Sequence, residues 1–338
     1  MDIVSSFKYL GCVISSRGSF SQCIDDLAKS GQRALFGLKQ CFGRFPEMLP
    51  HMQLNLFKSL VSPILSYGSE IWGASKADQV DKTYSSFLKS ILCVKSSTPS
   101  CFVYGELGAY PLSIERKIRV VKYWLKVISK CMENNNYVGK IYLDLYQLSV
   151  EKPNINTWCT QVRDLLYSCG FGYVWANQCV YGCKEFLRLF SLRLHDMYLQ
   201  EWNTSVSNTT DNRLFKQIKH VFGYESYLNI NNKSVRIALS RVRLSSHLFM
   251  IERGRWGKNS LHVSARKCSL CGVLEDEFHC LMVCPRFNNE REWFINKAFS
   301  AEPNYFDFIN LFNHRNDITL FNLALLCYKI QKEYRQFI

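Results

Sequence analysis

Acidic residues are scarce in this sequence relative to basic ones. Among its 338 residues there are 28 Asp and Glu against 42 Lys and Arg, and the formal net charge is +14. Such a balance favours a polyanionic partner, of which nucleic acid is the commonest, although a basic surface can also serve solubility alone. We therefore expect RNA or DNA as the partner of this chain.

Long apolar runs are missing as well, and so is a secretory signal. The N-terminus has neither a basic n-region nor an apolar h-region. The longest apolar run, at 320–328, is interrupted by Asn322 and is too short to span a bilayer. We expect no membrane association and a nuclear or cytoplasmic location rather than secretion. The fifteen cysteines then predict reduced thiols and not a disulfide framework.

The motifs of several enzyme classes are absent. The sequence has no Gly-rich phosphate loop, no His-Glu-x-x-His helix and no Ser/His/Asp elbow. The adjacent carboxylates Asp25 and Asp26 fall on a helical pattern, where neighbouring side chains point to different faces. We therefore predict no catalytic residues and no Mg²⁺ site.

The residues that are present indicate a folded, mainly α protein. The sequence is 47% hydrophobic and 14% aromatic, which is enough to bury a core across two or three modules. Apolar residues recur at helical spacing, with one β-like stretch near the N-terminus. Residues 7–14 predict one strand or half a hairpin, and helices are predicted from residue 22, from residue 50 with a kink at Pro63, at 114–128, 158–169 and 184–202, after 233, and near the C-terminus.

The most informative stretch has the spacing C-x2-C-x7-H-x4-C, formed by Cys268, Cys271, His279 and Cys284. Two thiolates on a tight turn, followed by a His and a Cys one helical turn apart, can close a tetrahedral site around one metal ion. Four N and S ligands with no spare position are typical of structural zinc, not of catalytic zinc. Cys280, beside His279, can compete as the third ligand.

A basic run leads into this motif. Between residues 233 and 267 a single acid, Glu252, stands among the Lys and Arg residues. Trp256 lies between arginines in a predicted loop at 254–257, where it either stacks on a base or packs beneath the metal site. We predict nucleic-acid contacts by Arg241, Arg243, Arg253, Arg255, Trp256, Arg266 and Lys267.

A second basic surface is predicted on the helix at 114–128. Its apolar stripe includes Ile114, Val121 and Leu125, and its other faces carry a single acid, Glu115. Clustered cations of this kind either contact phosphates, a binding mode driven by counterion release, or form an ordinary solvated helix face. The candidate phosphate contacts are Arg116, Lys117, Arg119, Lys122 and Lys126.

Four ordered segments resemble the C-terminal part of reverse transcriptases from non-LTR (LINE-type) retrotransposons. Phe7-Lys-Tyr-Leu-Gly11 with Ile14-Ser-Ser-x-Gly18 resembles the block that ends the polymerase palm. Ile64-Leu-Ser-Tyr-Gly-Ser-Glu-Ile-Trp72 resembles a thumb segment, and Tyr104-Gly-Glu-Leu-Gly-Ala-Tyr-Pro-Leu112 resembles a block just after the thumb. The Cys/His motif resembles the zinc knuckle of the same family.

The resemblance implies four parts: a palm remnant at 1–20, a thumb-like helical domain at 21–131, a helical connector at 132–232, and the basic segment, knuckle and terminal helices at 233–338. The family's polymerase holds two Mg²⁺ ions on palm aspartates, and those elements precede the first matched block. We therefore expect a truncated retroelement product that binds nucleic acid and has no polymerase centre. One alternative is a protein–protein interaction scaffold. Another, an enzyme with unrecognised zinc chemistry, is disfavoured because four protein ligands leave no open position.

Overall fold

The structure, a computed structural model, describes residues 4–131, 136–209, 213–256, 260–295, 302–314 and 316–336. As predicted, the chain is mainly α-helical, with a short antiparallel pair of strands near the N-terminus. Residue 257 of the predicted loop lies outside the described residues. The strands and helices are β1 Ser6–Tyr9, β2 Cys12–Ser15, α1 Ser21–Arg44, α2 Pro50–Leu60, α3 Ser62–Leu65, α4 Ser69–Trp72, α5 Asp78–Leu92, α6 Ser100–Leu107, α7 Leu112–Lys130, α8 Tyr137–Glu151, α9 Trp158–Ser168, α10 Gly172–Asn177, α11 Cys183–Asn208, α12 Arg213–Ile218, α13 Lys233–Arg243, α14 Met250–Arg253, α15 Asn288–Phe294, α16 Tyr305–Phe312 and α17 Asp317–Gln336.

The N-terminal segment is a complete hairpin, whereas the sequence predicted one strand or half a hairpin over residues 7–14. Tyr9 of β1 lies opposite Cys12 of β2, so Leu10 and Gly11 form a two-residue turn. Their φ angles are +45° and +88°, and both must be positive in a type I′ turn. Gly11 adopts this conformation freely, and it is the residue that divides the segment into two strands.

The kink predicted at Pro63 is a helix break. The helix α2 ends at Leu60, and Pro63 lies in the first turn of the separate helix α3. Proline is tolerated there because the first N–H groups of a helix have no intrahelical acceptor.

Contacts divide the chain into two compact units. The first unit comprises Met1–Lys39, Leu56–Tyr84 and Tyr110–Glu201, and the second comprises Gln40–Asn55, Ser85–Ala109 and Trp202–Ile338. The hairpin, α3, α4 and α7 to α10 lie wholly in the first unit, and α6 and α12 to α17 lie wholly in the second. Each unit therefore assembles segments that are distant in sequence.

The core of the first unit is apolar and rich in aromatic rings. Its buried faces come from α7, α8, α9, α10 and the part of α11 up to residue 194. Trp124 stacks on Trp175 with ring centroids 5.9 Å apart, and its indole N–H donates to Tyr142 Oη at 2.8 Å. A capping box formed by Thr157 and Thr160 begins α9. The sequence predicted three of these helices, α7, α9 and α11, but not α8 or α10.

The core of the second unit includes the packed pair α13 and α17. Leu239 and Val242 of α13 and Cys327 of α17 are fully buried. Between the two helices, Gln331 Nε2 donates to the Ala238 carbonyl at 2.8 Å. This buried hydrogen bond fixes how α17 lies against α13.

A network of buried charges runs through the second unit. Arg243 and Glu106 have side chains that are 1% and 0% exposed, and they form an ion pair. Arg243 also pairs with Glu225 at 3.1 Å, and Glu225 in turn pairs with Lys219. Buried charges are tolerated when they are paired and hydrogen-bonded, and the carboxylates of Glu106 and Glu225 supply these partners for Arg243.

Neither membrane spans nor disulfides occur in the described part of the chain. None of its helices combines the length and apolarity needed to cross a membrane. All fifteen cysteines lie in this part, and all are free.

Candidate metal centre and basic surface

The first two candidate metal ligands lie on a tight turn closed by backbone hydrogen bonds. The Cys268 N–H donates to the Val273 carbonyl at 2.7 Å, and the Gly272 N–H donates to the Cys268 carbonyl at 2.9 Å. Gly272 has φ +72°, a left-handed conformation that glycine adopts without strain. This glycine directly follows Cys271, so it allows the chain to reverse immediately after the second thiol.

The second pair of ligands lies on a widened helical turn. His279 and Cys284 are five residues apart, and such positions point about 140° apart around a regular α-helix. Here the Cys284 N–H donates to the His279 carbonyl at 2.7 Å, which is the bond of a π-helical turn. The wider turn brings Cys284 back toward the side of His279. Asp276 Oδ1 accepts from the His279 N–H at 2.8 Å and caps the start of the turn.

The four candidate ligands converge, as the sequence predicted. One ligand atom each from Cys268, Cys271, His279 and Cys284 lies within 4.8 Å of the other three. Cys284 Sγ lies 4.0 Å from Cys268 Sγ and 3.9 Å from Cys271 Sγ. A tetrahedral site with metal–sulfur bonds of about 2.3 Å places its sulfurs about 3.8 Å apart. The cluster could therefore hold a metal ion with little movement of its side chains.

The imidazole of the cluster has the properties of a metal ligand. His279 is buried, and its Nε2 has no hydrogen-bond partner among the residues that the structure describes. Buried polar atoms in native proteins almost always have a partner. Burial also lowers the pKa of His279, so the ring is neutral near pH 7 and has a lone pair to donate. A metal ion would supply the missing partner of Nε2.

The Cys284 thiol of the cluster resists ionisation unless a cation is present. Burial, with a smaller contribution from the adjoining Cys268 and Cys271, raises the pKa of Cys284 to about 12. Neighbouring thiolates disfavour each other's ionisation. A bound metal reverses this effect because it stabilises the thiolates directly and releases their protons.

Cys280 lies apart from the four ligands. Its side chain is fully buried, and its Sγ lies 3.5 Å from Tyr334 Oη. Burial raises the pKa of this thiol well above the ordinary value. The geometry therefore favours His279 over Cys280 as the third ligand.

Hydrogen bonds join the metal turn to the basic segment that precedes it. The Ile251 N–H donates to the Glu275 carbonyl at 3.0 Å, and the Met250 N–H donates to Glu275 Oε1 at 2.8 Å. Arg266 Nη1 donates to the Ile251 carbonyl at 2.9 Å, so this predicted nucleic-acid contact is half-buried and helps to hold the fold. The helix α14, which ends at Arg253, is thus hydrogen-bonded to the loop between the two ligand pairs.

Three of the predicted nucleic-acid contacts in this segment are exposed: Arg253, Trp256 and Lys267. Trp256 keeps 53% of its surface exposed, so it does not pack beneath the metal turn. The half-buried Arg255 pairs with Glu252 at 2.9 Å, and its guanidinium lies 5.5 Å from the Trp256 ring centroid. An exposed indole with a guanidinium beside it offers a stacking surface to an unpaired base.

The structure removes Arg243 from the predicted surface. Its side chain is 1% exposed and pairs with Glu106 and Glu225, and its Nη1 donates to the Phe312 carbonyl at 3.3 Å. Burial opposes the charge of Arg243, but the two carboxylates outweigh burial and hold its pKa above the ordinary value. The prediction that Arg243 contacts nucleic acid is wrong, because a phosphate cannot reach a buried guanidinium that already has partners.

The prediction that Arg116 on α7 contacts nucleic acid is wrong for the same reason. Its side chain is 1% exposed, donates to both carboxylate oxygens of Asp81 at 3.0 Å, and lies 5.7 Å from the Trp72 ring centroid. The other predicted contacts of this helix remain accessible to different degrees. Lys117 and Arg119 are half-buried, and Lys122 and Lys126 are exposed.

Two cations beside Arg241 were not predicted from the sequence. A cleft of about 400 Å³ in the second unit is lined by Arg241, Lys332 and Arg335. Arg241 is half-buried, and its Nε donates to the Cys93 carbonyl at 3.0 Å. Lys332 and Arg335 both lie on α17. Their spacing of three residues places them on one helix face, and this spacing is the only indication of the pair that the sequence contains.

Comparisons of the chain with protein-family models, with curated proteins and with solved structures found no match.

Proposed function

We propose that this chain binds nucleic acid through a module of the second unit that is held together by a structural zinc ion. The observation that carries the proposal is the hydrogen-bonded connection between the Cys/His cluster and α14. Metal binding fixes the turn, and the turn holds α14, which leads into the exposed Arg253 and Trp256. The resemblance to the C-terminal part of non-LTR reverse transcriptases supports RNA or DNA as the partner.

Zinc fits the cluster better than the other common metals. Three thiolates and one imidazole form a closed tetrahedral set, which is the usual ligand set of structural zinc. Calcium and magnesium prefer oxygen ligands, whereas soft thiolates select zinc. With four protein ligands no position remains for a reacting water, so the proposed role of the metal is to stabilise the fold.

The proposed contacts combine charge with stacking. Arg253 and Lys267 are exposed cations of the segment that leads into the Cys/His cluster, and clustered cations bind phosphates by releasing counterions. Trp256, with Arg255 beside it, supplies a ring on which an unpaired base can stack. Together these residues favour a single strand or a loop over a regular duplex.

The proposed activity is binding and not polymerisation. Templated primer extension by the purified chain, in the presence of Mg²⁺ and nucleotides, would contradict this part of the proposal.

The test of binding is the salt dependence of affinity for a labelled single-stranded oligonucleotide, measured by fluorescence anisotropy. In the double variant Arg253→Ala/Lys267→Ala, two phosphate contacts are lost. The slope of log affinity against log salt should then fall in magnitude by about 1.4, at about 0.7 per single-strand contact. The matched control is Lys152→Ala/Lys184→Ala, which removes two exposed cations of the first unit and should leave the slope unchanged.

Metal content is measured on the same samples. We expect one zinc ion per chain, and we expect chelation to weaken oligonucleotide binding because α14 loses its support. Absence of zinc, or binding that is indifferent to salt, would refute the proposal.

A protein–protein interaction scaffold is the second candidate, and one observation favours it. The N-terminal hairpin of the first unit exposes large apolar side chains: Phe7 is 61%, Tyr9 57% and Leu10 73% exposed. Contiguous exposed apolar residues often mark interaction surfaces. A scaffold that binds only proteins would show no salt-dependent affinity for the oligonucleotide, so the same titration separates the two candidates.

A further inference from the structure

The cleft between α13 and α17 in the second unit points to a nucleic-acid contact remote in sequence from the Cys/His motif. We propose that it binds one unpaired nucleotide of a single-stranded nucleic acid. Arg241, Lys332 and Arg335 would contact the phosphate, and Tyr328 would lie against the base. The inference rests on the proposed function and specifies where the second unit holds a strand.

Charge is the first argument for an anion in this cleft. Arg241, Lys332 and Arg335 line it, and none of its described lining residues is acidic. Lys332 and Arg335 are exposed, and neither forms an ion pair or hydrogen bond with the described residues of the chain. Burial lowers the pKa of Arg241, and the nearby charge of Arg335 lowers it further. A phosphate that binds among the three cations would offset the repulsion between Arg241 and Arg335.

Pre-organisation is the second argument. Arg241 is held by the hydrogen bond from its Nε to the Cys93 carbonyl, which leaves its terminal amino groups available to a ligand. Cys93 itself has φ +51°, and non-glycine residues in this conformation cluster at functional sites. The bond from Gln331 to Ala238 fixes α17 against α13. A site positioned in advance loses less entropy when its ligand binds.

The lining selects a nucleotide with an unpaired base. Tyr328 is half-buried and lines the same cleft as the three cations, and aromatic rings stack on bases that are free of a duplex. The cleft volume of about 400 Å³ lies within the range of small-ligand pockets. A free mononucleotide has the same chemistry as one unit of a strand, and inorganic phosphate shares the anionic part, so the experiment must separate these three sources.

The double variant Lys332→Ala/Arg335→Ala tests the phosphate contacts. Both side chains are exposed, so their truncation should leave the fold intact. We expect affinity for a short oligouridylate to fall about 25-fold at 0.1 M salt and the salt slope to fall by about 1.4, at about 0.7 per contact. Lys329→Ala/Lys152→Ala, which removes two exposed cations outside the cleft, is the matched control and should bind like the unmodified chain.

The thiol of Cys93 provides a second, local measurement. It lines the cleft, so a bound strand should slow its alkylation, read by mass spectrometry of the peptides. Cys41 and Cys179 are exposed and serve as internal controls whose rates should not change. Adenosine monophosphate and inorganic phosphate are tested at the same phosphate concentration as the strand.

The outcomes distinguish the inference from the proposed function. If the unmodified chain binds the oligouridylate but the cleft variant binds equally well and Cys93 is unprotected, the cleft assignment fails and the proposed function stands. If the unmodified chain binds no oligonucleotide, both fail. Equal protection of Cys93 by the mononucleotide or by phosphate would show that the cleft binds a small anion rather than a strand, and would overturn the proposal. Salt-sensitive loss in the variant, together with selective protection by the strand, supports the proposal.

Discussion

The two units bury ionisable groups in different ways. In the first unit the buried guanidinium of Arg116 pairs with Asp81, whose side chain is 38% exposed. In the second unit both members of the Arg243–Glu106 pair are buried, and so are three of the four metal ligands. Apolar burial therefore dominates the interior of the first unit, whereas the second also depends on specific partners for charges and thiols.

This difference predicts different responses to substitution. Truncation of an apolar side chain costs the lost transfer free energy plus a term that grows with the cavity left behind, because the surrounding side chains relax only partly. Removal of one member of a buried charged pair leaves the other member unsatisfied and costs about 3–5 kcal/mol. The second unit should therefore be the more sensitive of the two to single polar substitutions.

The largest effect is expected at the metal ligands. Cys284→Ser should abolish zinc binding and lower the free energy of unfolding of the second unit by about 5 kcal/mol or more, since metal loss belongs to the most damaging class of lesion. The measurements are metal content and chemical denaturation. Cys280→Ser is the control, and it should retain one zinc ion per chain. Loss of zinc in the control would reassign the third ligand to Cys280.

The next effect is expected at the buried ion pair of the second unit. Glu106→Ala should destabilise that unit by about 3 kcal/mol, because Arg243 loses its fully buried partner and keeps only Glu225 as a counter-charge. Urea denaturation with hydrogen exchange of the α13 peptides measures the loss. The double variant Glu106→Leu/Arg243→Met should recover much of it, since apolar replacements remove the unsatisfied charge. A double variant as unstable as the single one would show that shape, not charge, governs this site.

A smaller effect is expected at the ion pair of the first unit. Asp81→Asn should cost about 1–2 kcal/mol, because Asp81 is 38% exposed and the asparagine oxygen still accepts a hydrogen bond from Arg116. Hydrogen exchange of the α7 peptides reports the change. Glu115→Gln, at the exposed pair with Arg119, is the control and should cost less than about 1 kcal/mol. A loss at Asp81 equal to that at Glu106 would remove the distinction between the units.

The helices α1, α2, α7, α9, α11, α13 and α17 could be predicted from the sequence, because apolar periodicity reports which face of a helix is buried; α5, α6, α8, α10 and α12 were not predicted. The stripe on α17, with Leu323, Ala324 and Cys327 fully or almost fully buried, is one example. The metal ligands could also be predicted, because they lie close together in sequence and their spacing nearly determines their geometry. The π-helical turn that brings Cys284 toward His279 has no comparable signature.

The roles of single charged residues could not be predicted in this way. Arg243 lies 137 residues from its partner Glu106, and Arg116 lies 35 residues from Asp81. A local pattern of cations shows that charge is present, but the partner that removes an arginine from the surface comes from a remote segment. The same limit applies to the cleft, where Arg241 and the α17 cations meet only through tertiary packing.

The smallest predicted effect tests whether the contrast between the units is specific to buried ionisable groups. Asn136 caps α8 in the first unit by accepting from the Val138 N–H at 3.0 Å, and Asn232 caps α13 in the second by accepting from the Val235 N–H at 3.2 Å. Each change to alanine should cost about 1 kcal/mol, read as faster hydrogen exchange in the first turn of the capped helix. A cap serves only its own helix, so the two losses should be equal although the interiors differ. A clearly larger loss at Asn232 would mean that the second unit is sensitive to any lesion, and the explanation by buried charge and metal would then fail.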